Sequence, residues 1–192
     1  MTTLEAIAGV IMTVLWLVWL AYWWYNARGV KRARWREPAT SQLWHRVPIM
    51  FAALLLAAPR LWPEPLRRRF LPPGALFPVL GTLVVALGLG VTVWARRHLG
   101  RDWSSSVEVK EGHRLVRTGP YRWVRHPIYS GLLLAFLGVA LEFGQWRALV
   151  ALPLVVLALV VKSRAEESRM SETFSEYEDY RRQTWAIVPG VY

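Results

Sequence analysis

A chain of 192 residues with 54% hydrophobic side chains and a mean hydropathy of +0.24 has the composition of a single domain embedded in a lipid bilayer, not of a soluble fold. The net charge of +11 is parcelled between apolar runs, which fits membrane topology and anionic lipid and counts against a nucleic-acid binder. There is no Cys, which excludes disulfides, thiolate zinc sites and cysteine nucleophiles; the 4 His form no H-E-x-x-H-like pair, so no metal is expected.

The first apolar segment runs from Leu4 to Tyr25, long enough to cross a hydrocarbon core of roughly 30 Å. No basic region precedes it and no small-residue cleavage site follows, so it reads as a retained span, not a signal peptide. Arg28, Lys31, Arg32, Arg34 and Arg36 come next and mark a cytoplasmic loop. The second segment, Val47 to Trp62, is short and bracketed by Pro48 and Pro59; spanning with tilt is favoured over re-entry. A Pro- and Arg-rich loop follows. The third segment, Ala75 to Ala95, carries Gly81, Gly88 and Gly90, small surfaces where a neighbouring helix approaches closely. Ser104 to Val109 has weak strand character. Segments four (Pro127 to Leu141) and five (Arg147 to Val161) form a tight helical hairpin. From Lys162 the tail is charged, and Glu166 to Arg182 fits an amphipathic helix with Met170, Phe174 and Tyr177 on one face. Trp23, Trp24, Trp62, Trp94 and Trp146 lie near segment ends, as in an interfacial belt.

The fold class is therefore all-α: about five transmembrane helices, with a cytoplasm-facing region built from loop 96–126, the hairpin and the tail helix. Residues 1–95 supply three spans and 96–192 the hairpin with its polar loop and tail. With the amino end outside, regions 26–46, 96–126 and 162–192 face the cytoplasm. They hold 19 of the 24 Lys and Arg, as the positive-inside rule requires. The Arg67–Arg69 run on the outside is the dissenting feature.

Residues 112–131 concentrate the polar chemistry. Gly119-Pro120 sets a turn, and Pro127 opens a helix, where its missing N–H costs nothing. His126 and Tyr129 stand at that helix mouth, whose free N–H groups suit a carboxylate. The topology brings His113, Tyr121, His126 and Tyr129 to the same side as Arg164, Glu166 and Glu167. Cations, carboxylates and aromatics together suit a zwitterionic, partly apolar ligand. Blander readings compete: His126 bonding backbone at a helix start, the two Glu as a solvated face, Tyr177 and Tyr180 as packing, Arg122 and Arg125 as lipid-phosphate anchors.

Gly112-His113-x-Leu115-Val116-x-x-Gly119-Pro120-Tyr121-x-x-Val124-Arg125-His126-Pro127-x-Tyr129-x-Gly131 closely resembles the isoprenylcysteine carboxyl methyltransferase family. The tail resembles it too, in Glu166-Glu167-x-x-Met170-x-x-x-Phe174-x-x-Tyr177-x-x-Tyr180 followed by Ile187-x-Pro189-Gly190. The resemblance covers residues 100–192; residues 1–95 match no motif. It implies an integral-membrane methyltransferase using S-adenosylmethionine, in keeping with the lack of a Gly-rich strand–helix fingerprint. By motif position, cofactor contacts would come from His113, Arg114, Leu115, Val116, Tyr121, His126, Pro127, Ile128 and Tyr129, with Glu166 or Glu167. The family's arginine near the substrate carboxylate corresponds to Arg164, with Lys162 as fallback. Arg164, His126 and Glu167 are the expected catalytic residues.

The expected acceptor is a lipophilic small molecule or a prenylated carboxylate in the bilayer. A carboxylate is ionised at neutral pH and needs no general base, so catalysis would rest on alignment and exclusion of water. A phospholipid amine or a thiol would need deprotonation, by His126 or a Glu. An NADPH-dependent reductase of the sterol type and a non-enzymatic scaffold are the other readings. The high Arg and Ala content points to a bacterial inner membrane.

Overall fold

The computed structural model describes residues 2–28, 33–103, 108–110 and 115–191. The elements, in order, are α1 (Thr3–Ala27), β1 (Ala33–Arg36), α2 (Ala39–Ala57), α3 (Glu64–Arg67), α4 (Leu76–Leu99), β2 (Glu108–Lys110), α5 (Pro127–Phe143), α6 (Trp146–Thr173) and α7 (Tyr177–Gln183). A 3-10 turn at Gly119–Arg122 precedes α5. Among the described residues, α1, α4 and α6 are long and apolar enough to cross a bilayer, and α5 is a shorter apolar helix. The helical class expected from composition is what the chain adopts, as an integral membrane protein.

Thr2 and Glu5 start α1 with a reciprocal cap: the Glu5 N–H donates to Thr2 Oγ1 at 3.3 Å and the Thr2 N–H to Glu5 Oε2 at 2.7 Å. The second segment differs from expectation. Its helix begins at Ala39, eight residues before Val47, because Ser41, Gln42 and His45 turn inward onto Glu37 and satisfy a polar first half. That polar half is why α2 is not among the three helices that qualify as spans by length and composition. It nonetheless runs from one end of the bundle to the other. At its start, β1 pairs antiparallel with β2, which tethers residues 33–36 to 108–110. At its finish, buried Arg147 donates to the Leu55 and Leu56 carbonyls at 2.9 and 2.6 Å.

The loops sort to two ends. Loop 59–74 lies against the hairpin turn: the Phe70 N–H donates to Gly144 O at 2.8 Å, and the Trp146 N–H to Arg68 O at 3.2 Å. Glu5 joins them by accepting from the Gly74 N–H at 3.0 Å. The β1–β2 ribbon, the carboxy-terminal end of α4 and the Gly119–Arg122 turn occupy the other end. Chain direction therefore alternates as a five-pass reading requires. Arg67–Arg69 belongs to the hairpin-turn end, where Arg68 pairs with Glu64 at 2.8 Å. The strand expected within Ser104 to Val109 is β2, which overlaps it at Glu108 and Val109; residues 104–107 lie outside the described residues.

The tail is not one amphipathic helix over 166–182. No Gly or Pro lies between Pro153 and Pro189, so α6 continues through the polar residues to Thr173, breaks at Phe174, and α7 follows as a separate short helix. The polar part of α6, from Lys162, thus stands beyond the apolar span as a rigid post.

The closest packing joins α4 to α5. A Cβ added to Gly88 would lie 2.5 Å from Ala135 N and Gly131 O, and one on Gly81 would lie 2.5 Å from Gly138 O. Backbone meets backbone there, which is how helices gain dispersion contact in lipid. Gly90 has nothing within 4 Å and takes no part in the seam. Gly88→Ala is expected to destabilise the protein by roughly 1–3 kcal/mol while Gly90→Ala leaves stability unchanged or raises it. Thermal unfolding of both variants in detergent measures the difference; equal midpoints would contradict a backbone seam.

Candidate active site

The site begins with a turn. Gly119 adopts φ +59°, and a Cβ there would sit 2.3 Å from the His98 ring. Gly119 and Pro120 then carry the chain through the 3-10 turn that buries Tyr121. The Tyr180 hydroxyl donates to Tyr121 O at 2.7 Å, so α7 holds the turn from the far side. Burial pushes the Tyr121 phenol pKa well up, which keeps the phenol protonated.

The next residues are clamped along their backbone. Val124 and Trp185 form a parallel bridge. The Trp185 N–H donates to Trp123 O at 3.1 Å, Arg125 N–H to Trp185 O at 2.8 Å and His126 N–H to Ala186 O at 2.9 Å. Ser130, one turn into α5, donates its hydroxyl to Ile187 O. The carboxy-terminal segment thus fixes where His126 can point.

His126 points at α6. As N-cap of α5 it makes no side-chain cap bond. Instead Nε2 lies 3.1 Å from Glu167 Oε1 and Nδ1 lies 3.4 Å from Glu166 Oε2. The Arg125 guanidinium reaches the same Glu167 oxygen at 2.8 Å and also donates to the Arg181 and Thr184 carbonyls. Arg181 stands 3.7 Å from Glu167 Oε2. The Tyr129 hydroxyl donates to Glu166 Oε1 at 2.7 Å, and Lys162 lies 3.9 Å from that oxygen. The His126 and Tyr129 rings are parallel within 4°, their centroids 5.2 Å apart, and the Lys162 ammonium lies 5.6 Å from the Tyr129 centroid.

The charges set one another. Burial acts to discharge His126, but hydrogen bonds to Glu166 and Glu167 outweigh it and raise its pKa. Burial raises both carboxylates, yet His126 and Arg125 hold Glu167 down to about 2, and His126 with Lys162 keeps Glu166 below its usual range. Both Glu sit on the polar post of α6, beyond the apolar span.

Of the residues singled out from sequence, Tyr121, His126, Tyr129, Glu166, Glu167 and Lys162 come together. Pro127 and Ile128 are buried, Ile128 in the core cluster that also holds Tyr121 and Tyr129, with Val116 packed against it. Leu115 is half-buried. Arg164 is exposed. His113 and Arg114 lie outside the described residues. Two of the blander readings fail: the His126 ring bonds carboxylates and not backbone, and Glu167 is buried. Arg125 is a partner of Glu167 and not a lipid anchor alone. Nothing in its spacing distinguished it from Arg122; only the fold of residues 184–186 turns it inward.

The fold and this cluster define an integral membrane protein of packed helices with an imidazole clamped between two carboxylates at a helix mouth. Comparison with known proteins gives the particular family. Residues 76–177 match the family described as phospholipid methyltransferase (PEMT), and the chain belongs to it. It is 34% identical over 122 residues to the protein-S-isoprenylcysteine O-methyltransferase of Saccharomyces cerevisiae, covering 59% of this chain and 49% of the yeast protein. It is 30% identical over 95 residues to the uncharacterized protein YpbQ of Bacillus subtilis, covering 48% and 56%. A probable protein-S-isoprenylcysteine O-methyltransferase of Oryza sativa subsp. indica is 27% identical over 116 residues, covering 58% and 61%. The chain spans about half the length of the curated relatives it matches.

The two pKa directions predict opposite pH limits. Glu167, held down from 4.5 to about 2, contributes stability present above pH 4.5 and lost as pH falls toward 2. His126, raised above 6.5, contributes fully below pH 6.5 and loses that contribution as pH rises through its folded value. In thermal unfolding across pH, Glu167→Gln should remove the acid-side loss and His126→Gln the alkaline-side loss. Arg125→Gln leaves the buried carboxylate short of a partner and should cost about 3–5 kcal/mol.

Proposed function

We propose that the chain is an S-adenosylmethionine-dependent methyltransferase acting on a lipophilic carboxylate in the membrane. The observation that carries this is the convergence of His126, Tyr129, Lys162, Glu166 and Glu167 at the foot of the α5–α6 hairpin. The O-methyltransferase names of the yeast and rice relatives support the acceptor class. Residues 96–192 form the catalytic part on this reading, and residues 1–95 the membrane frame. The site faces the cytoplasm across a bacterial inner membrane, which the distribution of Lys and Arg supports.

The donor set fits the cofactor. Glu166 Oε2 is met by His126 at 3.4 Å and Glu167 Oε2 by Arg181 at 3.7 Å, so each carboxylate keeps a loosely held oxygen for an ammonium or a ribose hydroxyl. The parallel His126 and Tyr129 rings add a flat, partly apolar wall. Glu166, Glu167, His126 and Tyr129 would hold the cofactor, with Tyr121 and Leu115–Val116 beside them and His113 and Arg114 on the preceding loop. When bound, the cofactor supplies an electrophilic methyl on a sulfonium.

The chain's own work is positioning. His126, charged between the two Glu, fixes their rotamers and moves no proton when the acceptor is already an anion. Lys162 would steer an acceptor carboxylate, because it stands by Glu166 and Tyr129 whereas Arg164 is exposed. The buried core around Tyr121 and Tyr129 keeps water from the reacting atoms. The family's description favours a second reading, a phospholipid amine as acceptor. In that case a Glu or His126 takes the released proton.

Calorimetric titration of the detergent-purified protein with S-adenosylhomocysteine should show binding that Glu166→Ala and Glu167→Ala weaken. Methylation of a prenylcysteine carboxylate should lose roughly 10- to 100-fold in kcat/KM in Lys162→Ala, the worth of one charged hydrogen bond, and little in Arg164→Ala. No binding in several detergents would overturn the assignment, and transfer of labelled methyl to lipid amines alone would select the second reading.

A further inference from the structure

A second polar site lies between the carboxy-terminal ends of α1 and α4. It is a cavity of about 580 Å³ lined by Tyr22, Tyr25, Asn26, Arg28, Arg96 and Arg97. Its residues come from α1, α4 and the turn after α4; none comes from α5 or α6, which carry the carboxylate pair.

Arg96 is the unusual member. It is 4% exposed, and its guanidinium lies over the Trp103 ring at 4.6 Å. Its Nη2 donates to Asn26 O at 2.9 Å and its Nη1 to Gly100 O, so it closes the ends of α1 and α4. Its Nε has no partner, alone among buried side-chain polar atoms of the described residues. Arg147, at the opposite end of the bundle, caps α2 in the same way and has its Nε bonded to Gln145 Oε1. The orphan at Arg96 is therefore not a cost that buried capping arginines in this protein carry as a rule.

Among the described residues no carboxylate pairs with Arg28, Arg96 or Arg97. The carbonyl ends of α1 and α4 offset part of the Arg96 charge, but Arg28 and Arg97 add two more cations at the cavity. Trp24 on α1 stacks under the Arg28 guanidinium at 3.7 Å, and Trp residues near helix ends are the ones that sit at headgroup depth. A cationic cavity at that depth takes an anion that the bilayer itself presents.

We infer that this cavity seats the phosphate of an anionic membrane lipid, held by Arg28 and Arg97 beside the buried positive charge of Arg96. The lipid there is a bound structural ligand and not the methyl acceptor, since no residue of the carboxylate pair lines the cavity. The same phosphate chemistry could come from the free ion, but the cavity is larger than one phosphate needs, and its aromatic walls suit a headgroup with its glycerol.

The test uses the full chain, delipidated in detergent, with thermal unfolding as readout. Added phosphatidylglycerol should raise the midpoint by at least ~3 °C over the same amount of phosphatidylcholine. Inorganic phosphate should do no more than chloride at matched ionic strength. Arg28→Gln/Arg97→Gln, at two exposed positions, should abolish the phosphatidylglycerol excess, while Arg67→Gln/Arg68→Gln at the other end should keep it. Equal stabilisation by the two lipids, retention of the excess in the double variant, or an equal effect of inorganic phosphate would each overturn the proposal. Native mass spectrometry gives a reading independent of stability: the wild type should keep a phosphatidylglycerol adduct that Arg28→Gln/Arg97→Gln loses, and retention by both would overturn it.

Discussion

Ionised groups buried at a membrane edge have to neutralise one another, and this requirement organises the chain. Glu167 is 8% exposed and is met by Arg125, His126 and Arg181; Glu166 is met by His126, Tyr129 and Lys162. Removing water from either carboxylate without these partners would cost several kcal/mol. Meeting them takes residues from three stretches: the mouth of α5, the polar post of α6, and the α7 segment. The backbone bonds of residues 123–126 with 185–186 bring the third stretch into register with the first. The network is at once what closes the carboxy-terminal half and what leaves two carboxylate oxygens loosely held for a ligand.

The membrane part makes that network rigid. In lipid, apolar helices gain nothing from hiding apolar surface, so close approach has to come from small residues and from capped helix ends. The Gly81–Gly138 and Gly88–Gly131 contacts supply the first, and they lock α4 against α5 just below the helix mouth. Arg147 and Arg96 supply the second, each spending guanidinium donors on carbonyls at a helix end. The amino-terminal helices thus hold the site in place without lending it a recognised motif: α1 packs on α4 and α2 on α6.

Much of this was legible in the residues. Long apolar runs and the side-to-side bias of Lys and Arg gave the helices and the sorting of loops to two ends. Gly119-Pro120 gave the turn, Pro127 the helix start, and Gly81 and Gly88 the close approach. Other features were not legible. Strand β1 has no strand-length pattern of its own, and its pairing with β2 joins two segments far apart in the chain. The start of α2 at Ala39 depends on Glu37 satisfying Ser41, Gln42 and His45. The unbroken run of α6 into the polar tail defeats a reading in which polarity marks the end of a span.

What the sequence determined by itself is whatever depends on composition and local spacing: membrane residence, the long apolar helices, turn positions, and the grouping of His126 with a Glu pair. These follow from transfer free energy and backbone geometry, which act residue by residue. Only the tertiary structure decided which distant cations meet which carboxylates. Lys162 meets Glu166 as a local i,i+4 pair, but Arg125 meets Glu167 because the pairing of residues 123–126 with 185–186 is set by packing between distant segments, which no local pattern of charges encodes.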